Sequence, residues 1–195
     1  MTKFQLHKIR DFVRREVAKS IDPLHDFDHL VRVIDNARLI VSILRVKRDI
    51  DIDLLEAACL LHDIHFTRFK PGVLNFFRES RLLKRVVPSL IGQFGLSEAD
   101  RYLLEEAIYH HTFAFPFRRL NKKYSLYAQI LQDADTLETF SRVRFLGLKT
   151  LRNKSRFYRF VSLLSGLAAK RFRKNKHRYL NLPEIIGYLT EEDQV

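Results

Sequence analysis

Apolar residues recur every three or four positions along most of the chain, which is the spacing of one buried face of an α-helix. The first such stretch covers residues 4–17 and predicts an amphipathic helix. Asp22-Pro23 is typical of a helix start, because Asp caps and Pro is tolerated in the first turn. The second helix therefore begins there, or nearer Phe27, and extends to about Leu44.

The segment LLEAACLL at 54–61 is apolar on every side, which predicts a buried central helix preceded by a capping box, Asp53-x-x-Glu56. Further helices are predicted over 74–91 (bent or ended by Pro88), from Ser97 to His110-His111, over 125–140, 141–153 and 155–172, and from Pro183. The sequence shows no strand–helix alternation, internal repeat or Gly-rich phosphate loop. It therefore predicts an all-α protein.

Length and composition favour one domain spanning residues 1–195, because 46% of the residues are hydrophobic. A single cysteine, Cys59, excludes a disulfide framework and a four-thiolate metal site. No apolar run approaches the roughly 20 residues of a membrane span, and the first residues lack the apolar core of a signal peptide. The expected location is the cytoplasm, with no membrane partner.

The positive charge is concentrated in one segment. Residues 142–178 contain thirteen Lys and Arg and no Asp or Glu, so they supply the whole formal net charge of +12. One interpretation is a solvated basic face; the other is attraction of nucleotide phosphates, nucleic acid or an acidic partner. Aromatic residues interleave with these bases and suit either base stacking or helix packing. They are Phe157, Tyr158, Phe160, Phe172 and Tyr179.

Several histidines lie beside Asp residues in the sequence, which is typical of metal-binding sites. His62-Asp63 directly follows the apolar run, so it delivers an imidazole and a carboxylate to the edge of the core. A buried carboxylate without a partner is costly, and a cation removes that cost. A hydrogen-bonded His–Asp pair is the alternative interpretation.

Two other segments offer ligands of the same kinds. His25 and His29 are four residues apart, with Arg32 three residues further on, so all three share a face in a helix. Asp133 and Asp135 are two residues apart, and a helix points them to roughly opposite sides. At most one of these aspartates is expected to join a given metal.

His29, His62-Asp63 and Asp135 together resemble the H…HD…D signature of the HD-domain metal-dependent phosphohydrolases. The similarity extends to the surrounding segments, which are HDFDHLVRV at 25–33, AACLLHDI at 57–64, His-Thr-Phe at 111–113 and QDADTLE at 132–138. Thr136 and Glu138 stand where relatives have Arg and Asp, and His65 stands where relatives often have Gly. The resemblance implies a metal-site core at about 22–140 within a helical bundle, followed by a basic helical extension at 141–195.

The resemblance implies that His29, His62, Asp63 and Asp135 bind one divalent metal ion. Two imidazoles and two carboxylates suit Mn²⁺, our first choice, or Mg²⁺, Co²⁺, Ni²⁺ or Fe²⁺. Asp135 is preferred over Asp133 because it matches the second Asp of the family's DAD element.

The predicted catalytic residues are Asp63, His111 and Arg32, with His111 near the substrate phosphate or the attacking water. Arg32, Arg68 and Lys70 are the predicted phosphate-binding residues, since phosphoryl transfer needs cations to balance developing charge. Some branches of the family use extra histidines for a second metal, which makes His110 or His111 a candidate for that role, and both also suit a polar helix end.

The leading functional hypothesis is hydrolysis of a phosphoester or phosphoanhydride bond, with a nucleotide as the expected substrate. The alternative is a nucleic-acid-binding protein or an RNA- or DNA-end phosphodiesterase that uses the basic segment 142–178. A third hypothesis is a di-iron redox enzyme, since some proteins of this fold hold such a centre.

Overall fold

A computed structural model describes residues 1–20, 22–45, 50–112, 120 and 122–192. These residues form α-helices joined by loops and short 3₁₀ turns, without a strand, which confirms the all-α prediction. The helices are α1 (Lys3–Val17), α2 (Phe27–Leu44), α3 (Ile52–Leu61), α4 (Val73–Phe77), α5 (Glu79–Ile91), α6 (Glu98–His110), α7 (Leu126–Thr139), α8 (Arg142–Leu151), α9 (Arg156–Lys174) and α10 (Pro183–Glu192). None of the helices in the described residues is both long and apolar enough to cross a membrane.

Helix α3 is the centre of the core, as its apolar sequence predicts. Every residue from Leu54 to Leu61 is buried, and the helix packs against α1, α2, α6 and α7. The predicted capping box is wrong, because the cap is Asp51, whose side chain accepts from the Leu54 N–H at 3.0 Å. Glu56 is buried instead, and its carboxylate accepts from Arg10 of α1 and Arg38 of α2. Two arginines thus balance its charge.

The start of α2 and the region of 74–91 also differ from prediction. Helix α2 begins at Phe27, the second of the two expected starts, with Asp26 accepting from the His29 N–H at 2.8 Å. The single helix expected at 74–91 is divided into α4 and α5 at Arg78, whose φ of −107° and ψ of 6° interrupt the helical backbone. Pro88 lies inside α5 rather than at its end.

A buried carboxylate on α7 holds a segment near the C-terminus against the core. Asp133 accepts from the Asn181 N–H at 2.8 Å and from the Leu182 N–H at 3.0 Å. These contacts hold the segment before α10, which packs against α2. Asp133 is therefore a structural anchor that points away from Asp135.

Helices α8 and α9 carry the basic segment and form a second, smaller core with Leu24. Arg144 is buried and Lys176 half-buried, whereas the other Lys and Arg of 142–178 are exposed. Of the interleaved aromatic residues, three are less than 10% exposed and belong to the core: Tyr158, Phe172 and Tyr179. Most of the aromatic surface that base stacking would require is therefore occupied by packing.

Candidate metal centre

Three helices bring the four predicted metal ligands together. His29 lies in the first turn of α2, His62 caps the C-terminus of α3 with Asp63 next to it, and Asp135 lies on α7. Both histidines are fully buried, and Asp63 is only 7% exposed. The apolar helix α3 is therefore followed by the polar side chains of His62 and Asp63, which meet His29 and Asp135 at the edge of the core.

The donor atoms converge on one point. His29 Nε2 lies 3.3 Å from His62 Nε2 and 3.2 Å from Asp63 Oδ2, and His62 Nε2 is also 3.2 Å from that oxygen. Asp135 Oδ1 lies 3.8 Å from both Nε2 atoms. Adjacent ligands of an octahedral ion with bonds of about 2.1 Å are about 3.0 Å apart. The spacings of the two imidazoles from each other and from each carboxylate are therefore close to those around an octahedral divalent cation.

Hydrogen bonds and charges behind the imidazoles turn their Nε2 atoms toward this point. His62 Nδ1 donates to the Cys59 carbonyl at 2.7 Å, which turns Nε2 toward the other donors. His29 Nδ1 lies 3.0 Å from Oε2 of the buried Glu138. A carboxylate behind a ligating histidine fixes the ring and increases its basicity. Glu138 thus has the position of an orienting group.

Asp63 and Asp135 are held as carboxylates. Burial raises the pKa of Asp63, but the neighbouring His62, His25 and His29 outweigh it and hold the pKa well below its usual range. Burial also raises the pKa of Asp135, and contacts with His62 and His29 lower it by more. Ionised oxygen ligands are the form that a hard divalent cation requires.

Arg32 contacts Glu138 in this structure. Its Nε donates to Glu138 Oε1 at 3.0 Å and its Nη2 lies 2.9 Å from the same oxygen, while the side chain stays one-third exposed. Arg144 approaches the other Glu138 oxygen, with its Nε at 3.8 Å. Both arginines therefore balance the charge of the carboxylate behind His29. Phosphate binding by Arg32 stays a prediction.

His111 enters the cluster, whereas His110 does not. His111 is 2% exposed and its Nδ1 donates to the Ile108 carbonyl at 2.6 Å. Its Nε2 lies 3.9 Å from Asp63 Oδ1 and 3.6 Å from Glu79 Oε1. His110 stacks on Tyr124 instead. Phe113 of the His-Thr-Phe motif lies outside the described residues.

The sequence analysis did not identify Glu79, which lies at the start of α5 and lines the site with Asp63. Its Oε1 is 4.0 Å from Nε2 of His65, a residue that is 1% exposed. Burial lowers the pKa of His65, which favours its neutral form. In the sequence, Glu79 resembles any acidic residue in a helix first turn, so no local signal distinguishes it.

His25 joins the site to the C-terminal helices. Its Nδ1 lies 2.8 Å from Asp22 Oδ2, and its Nε2 lies 3.5 Å from Asp63 Oδ2. Arg144 of α8 donates to His25 Nε2 at 2.7 Å and also donates to the Leu24 carbonyl. Tyr158 of α9 donates to Asp22 Oδ1 at 2.8 Å. Buried polar contacts thus connect α8 and α9 to the edge of the metal cluster.

This network predicts an acid-dependent contribution to stability. Burial raises the pKa of Asp22, but His25, the Leu24 N–H and the Tyr158 hydroxyl together lower it to about 2 from a model-compound value of 3.8. A lowered folded-state pKa stabilises the fold above about pH 4, and this stabilisation is lost as the pH falls through about 2. We expect Asp22→Asn to lower the free energy of unfolding by about 2 kcal/mol at neutral pH.

Denaturant unfolding at neutral pH and at several acidic pH values measures this effect. The difference between the wild type and Asp22→Asn should shrink as the pH falls from about 4 to about 2. Asp11→Asn is the control, because Asp11 is on α1 with its side chain 47% exposed. An Asp22→Asn variant as stable as the control at neutral pH would contradict the prediction.

A cavity of about 140 Å³ opens at the metal cluster. One side is polar and includes His25, Asp63, Glu79 and Asp135. Other lining residues come from α8, α9 and the end of α7, and the apolar ones among them include Phe140, Leu148, Phe157, Val161 and Leu164. The predicted phosphate-binding residues Arg68 and Lys70 are exposed beyond the 3₁₀ turn that follows Asp63, and neither is among the described residues that line the cavity.

Comparison with known proteins places this geometry in a family. Residues 26–139, more than half of the chain, match the HD domain family. No match was found among curated protein sequences.

Solved structures share the fold. A predicted HD superfamily hydrolase from an uncultured Thermotogales bacterium is 22% identical, with a TM-score of 0.52, over 89% of this chain and 92% of its own. YpgQ from Bacillus subtilis, solved in complex with ADP, is 17% identical, with a TM-score of 0.52, over 98% of this chain and 94% of its own. With the family match over 26–139, the chain belongs to the HD-domain family of metal-dependent phosphohydrolases.

Proposed function

We propose that this enzyme hydrolyses a phosphoester or phosphoanhydride bond of a nucleotide, with one divalent cation bound by His29, His62, Asp63 and Asp135. The observation that carries the proposal is the cavity, which is lined both by the donor residues Asp63 and Asp135 and by apolar side chains. A nucleotide presents the matching parts, a phosphate group at one end and a planar base at the other.

The metal ion supplies Lewis-acid polarisation of a phosphate oxygen and a more acidic bound water. His111 is the proposed acceptor for the water proton, because Nδ1 is committed to the Ile108 carbonyl and Nε2 faces Asp63. Asp63, a proposed metal ligand, also helps to position two imidazoles, since its Oδ2 faces His62 and its Oδ1 faces His111. Arg32, Arg68 and Lys70 are proposed to bind the phosphates of the substrate.

The apolar lining of the cavity provides a site for the base. Phe140 and Phe157 offer aromatic surface, and Val161 offers aliphatic surface, in the same cavity as the carboxylates. The ADP in the YpgQ structure supports a nucleotide as the ligand class. Mn²⁺ is the proposed metal, because two imidazoles and two carboxylates match its preference for mixed nitrogen and oxygen ligands.

The test combines metal analysis with a substrate screen. Protein purified without added metal is analysed for its elements, loaded with Mn²⁺ and assayed for phosphate and pyrophosphate release. The screen includes nucleoside mono-, di- and triphosphates, ribose 5-phosphate and an oligonucleotide with a terminal phosphate. We expect one tightly bound metal ion per chain and turnover of nucleotides well above that of ribose 5-phosphate.

Contaminating phosphatases are controlled with a His29→Ala variant prepared in parallel, which should lose the activity. Equal turnover of ribose 5-phosphate would contradict the nucleotide assignment, while the assignment as a phosphohydrolase would stand. Two tightly held ions per chain would contradict the single-metal proposal. Preference for the oligonucleotide would favour the phosphodiesterase alternative.

A further inference from the structure

Helix α9 is apolar on two roughly opposite faces, which is unusual for a helix at the surface of a globular protein. Its inner face packs on the molecule through Tyr158, Ala168 and Phe172, each less than 10% exposed. Its outer face carries Phe160, Leu163 and Leu167, which are 42%, 65% and 50% exposed. These three follow the 3–4 spacing of one stripe, about 10 Å long at 1.5 Å per residue.

Positive charge borders this stripe at both ends. Arg156 and Arg159 precede the stripe, Lys170 and Lys174 follow it, and all four are exposed. Helix α8 contacts α9 and adds two exposed apolar residues, Val143 and Leu146, at 54% and 55%. The segment 142–178 contains no acidic residue. The exposed residues of α8 and α9 thus include apolar side chains and cations but no carboxylate.

We propose that this α8–α9 surface binds an anionic phospholipid bilayer. Exposed Phe and Leu side chains enter the boundary between headgroups and acyl chains, and the flanking Lys and Arg contact lipid phosphates. A helix that lies in the interface needs this combination of apolar stripe and basic flanks. Membrane contact here is peripheral, through the surface of a folded domain.

Charge and burial disfavour the other occupants. A second copy would bring one basic face against another, and three to five apolar side chains bury less area than a stable dimer requires. Nucleic acid would use the cations, but not Leu163 or Leu167, and the aromatic residues Tyr158 and Phe172 are committed to the core. Acidic lipid headgroups over an apolar layer match both properties of the surface.

Bilayer contact would also place the catalytic cavity beside the membrane. Phe160 both belongs to the exposed stripe and lines the cavity, together with Val161 and Leu164 of the same helix. The surface proposal itself rests on exposure and charge, and it does not depend on the identity of the substrate.

The test is co-sedimentation of the full chain with vesicles of phosphatidylcholine alone and of phosphatidylcholine mixed with phosphatidylglycerol. We expect binding to the anionic vesicles only, weakened by added salt. The double variant Leu163→Gln/Leu167→Gln should bind about tenfold more weakly, and so should Lys170→Glu/Lys174→Glu. The matched control is Leu39→Gln/Tyr102→Gln, on α2 and α6, where the side chains are 39% and 67% exposed.

Thermal unfolding and circular dichroism of each variant verify that it is folded. The control variant should bind vesicles like the wild type. Absence of binding to anionic vesicles, equal binding to neutral ones, or full binding by the leucine double variant would each overturn the proposal. A single-stranded oligonucleotide is tested in parallel, and its retention without vesicle binding would assign the basic surface to nucleic acid instead.

Discussion

Replacing Asp135 with alanine is expected to abolish tight metal binding and to lower hydrolysis about a thousandfold or more. The Asp135 carboxylate lies 3.8 Å from Nε2 of His29 and of His62, so it closes the donor set from α7. Without it, two imidazoles and one carboxylate remain, with less negative charge for a divalent cation. Elemental analysis of the purified variant and its rate with added Mn²⁺ measure the two effects.

Asp133→Ala is the matched control, because it removes a carboxylate two residues earlier on the same helix. This variant should keep its metal but lose about 2–4 kcal/mol of unfolding free energy, since the buried N–H groups of Asn181 and Leu182 lose their acceptor. Denaturant unfolding measures that loss. Metal retained in Asp135→Ala and absent from a folded Asp133→Ala would show that the ligand is Asp133.

The position of His62-Asp63 at the edge of the core was predictable from the sequence because the relevant signals are local. An apolar helix that ends in His62-Asp63 must place two polar groups at the edge of the core, whatever the rest of the chain does. The choice between Asp133 and Asp135 came from position within the family's DAD element. The structure brings Asp135 into the donor cluster and gives Asp133 a separate anchoring contact.

Features that depend on distant partners were not predictable from the sequence. Glu56 has the spacing of a capping residue, yet Arg10 and Arg38 from two other helices bury its charge. Arg144 is one of thirteen bases in a segment without acids, and only tertiary packing distinguishes it from its solvated neighbours. Glu79 enters the site because the break at Arg78 sets the start of α5. Each of these depends on contacts between separate helices, which periodicity does not specify.

Charge balance around Glu138 links the metal ligands to the C-terminal helices. The carboxylate is fully buried behind His29, and arginines approach it from two elements, Arg32 of α2 and Arg144 of α8. Burial raises the pKa of Glu138, but His29 and Arg144 outweigh it and lower the pKa below its usual value. The group is therefore a carboxylate that lies directly behind the imidazole of His29, a proposed metal ligand.

Glu138→Gln should consequently weaken Mn²⁺ binding about 10- to 100-fold, the usual effect of removing a partner behind a ligating histidine. The amide keeps the shape of the side chain but loses the charge that fixes the ring and increases the basicity of Nε2. Metal titration of the apo-protein gives the affinity, and turnover at saturating Mn²⁺ should fall less than the affinity does. Glu105→Gln is the control, since Glu105 forms an ion pair with Arg101 on α6. An Mn²⁺ affinity of Glu138→Gln within about twofold of the control would mean that His29 is held by the packing of α2 alone.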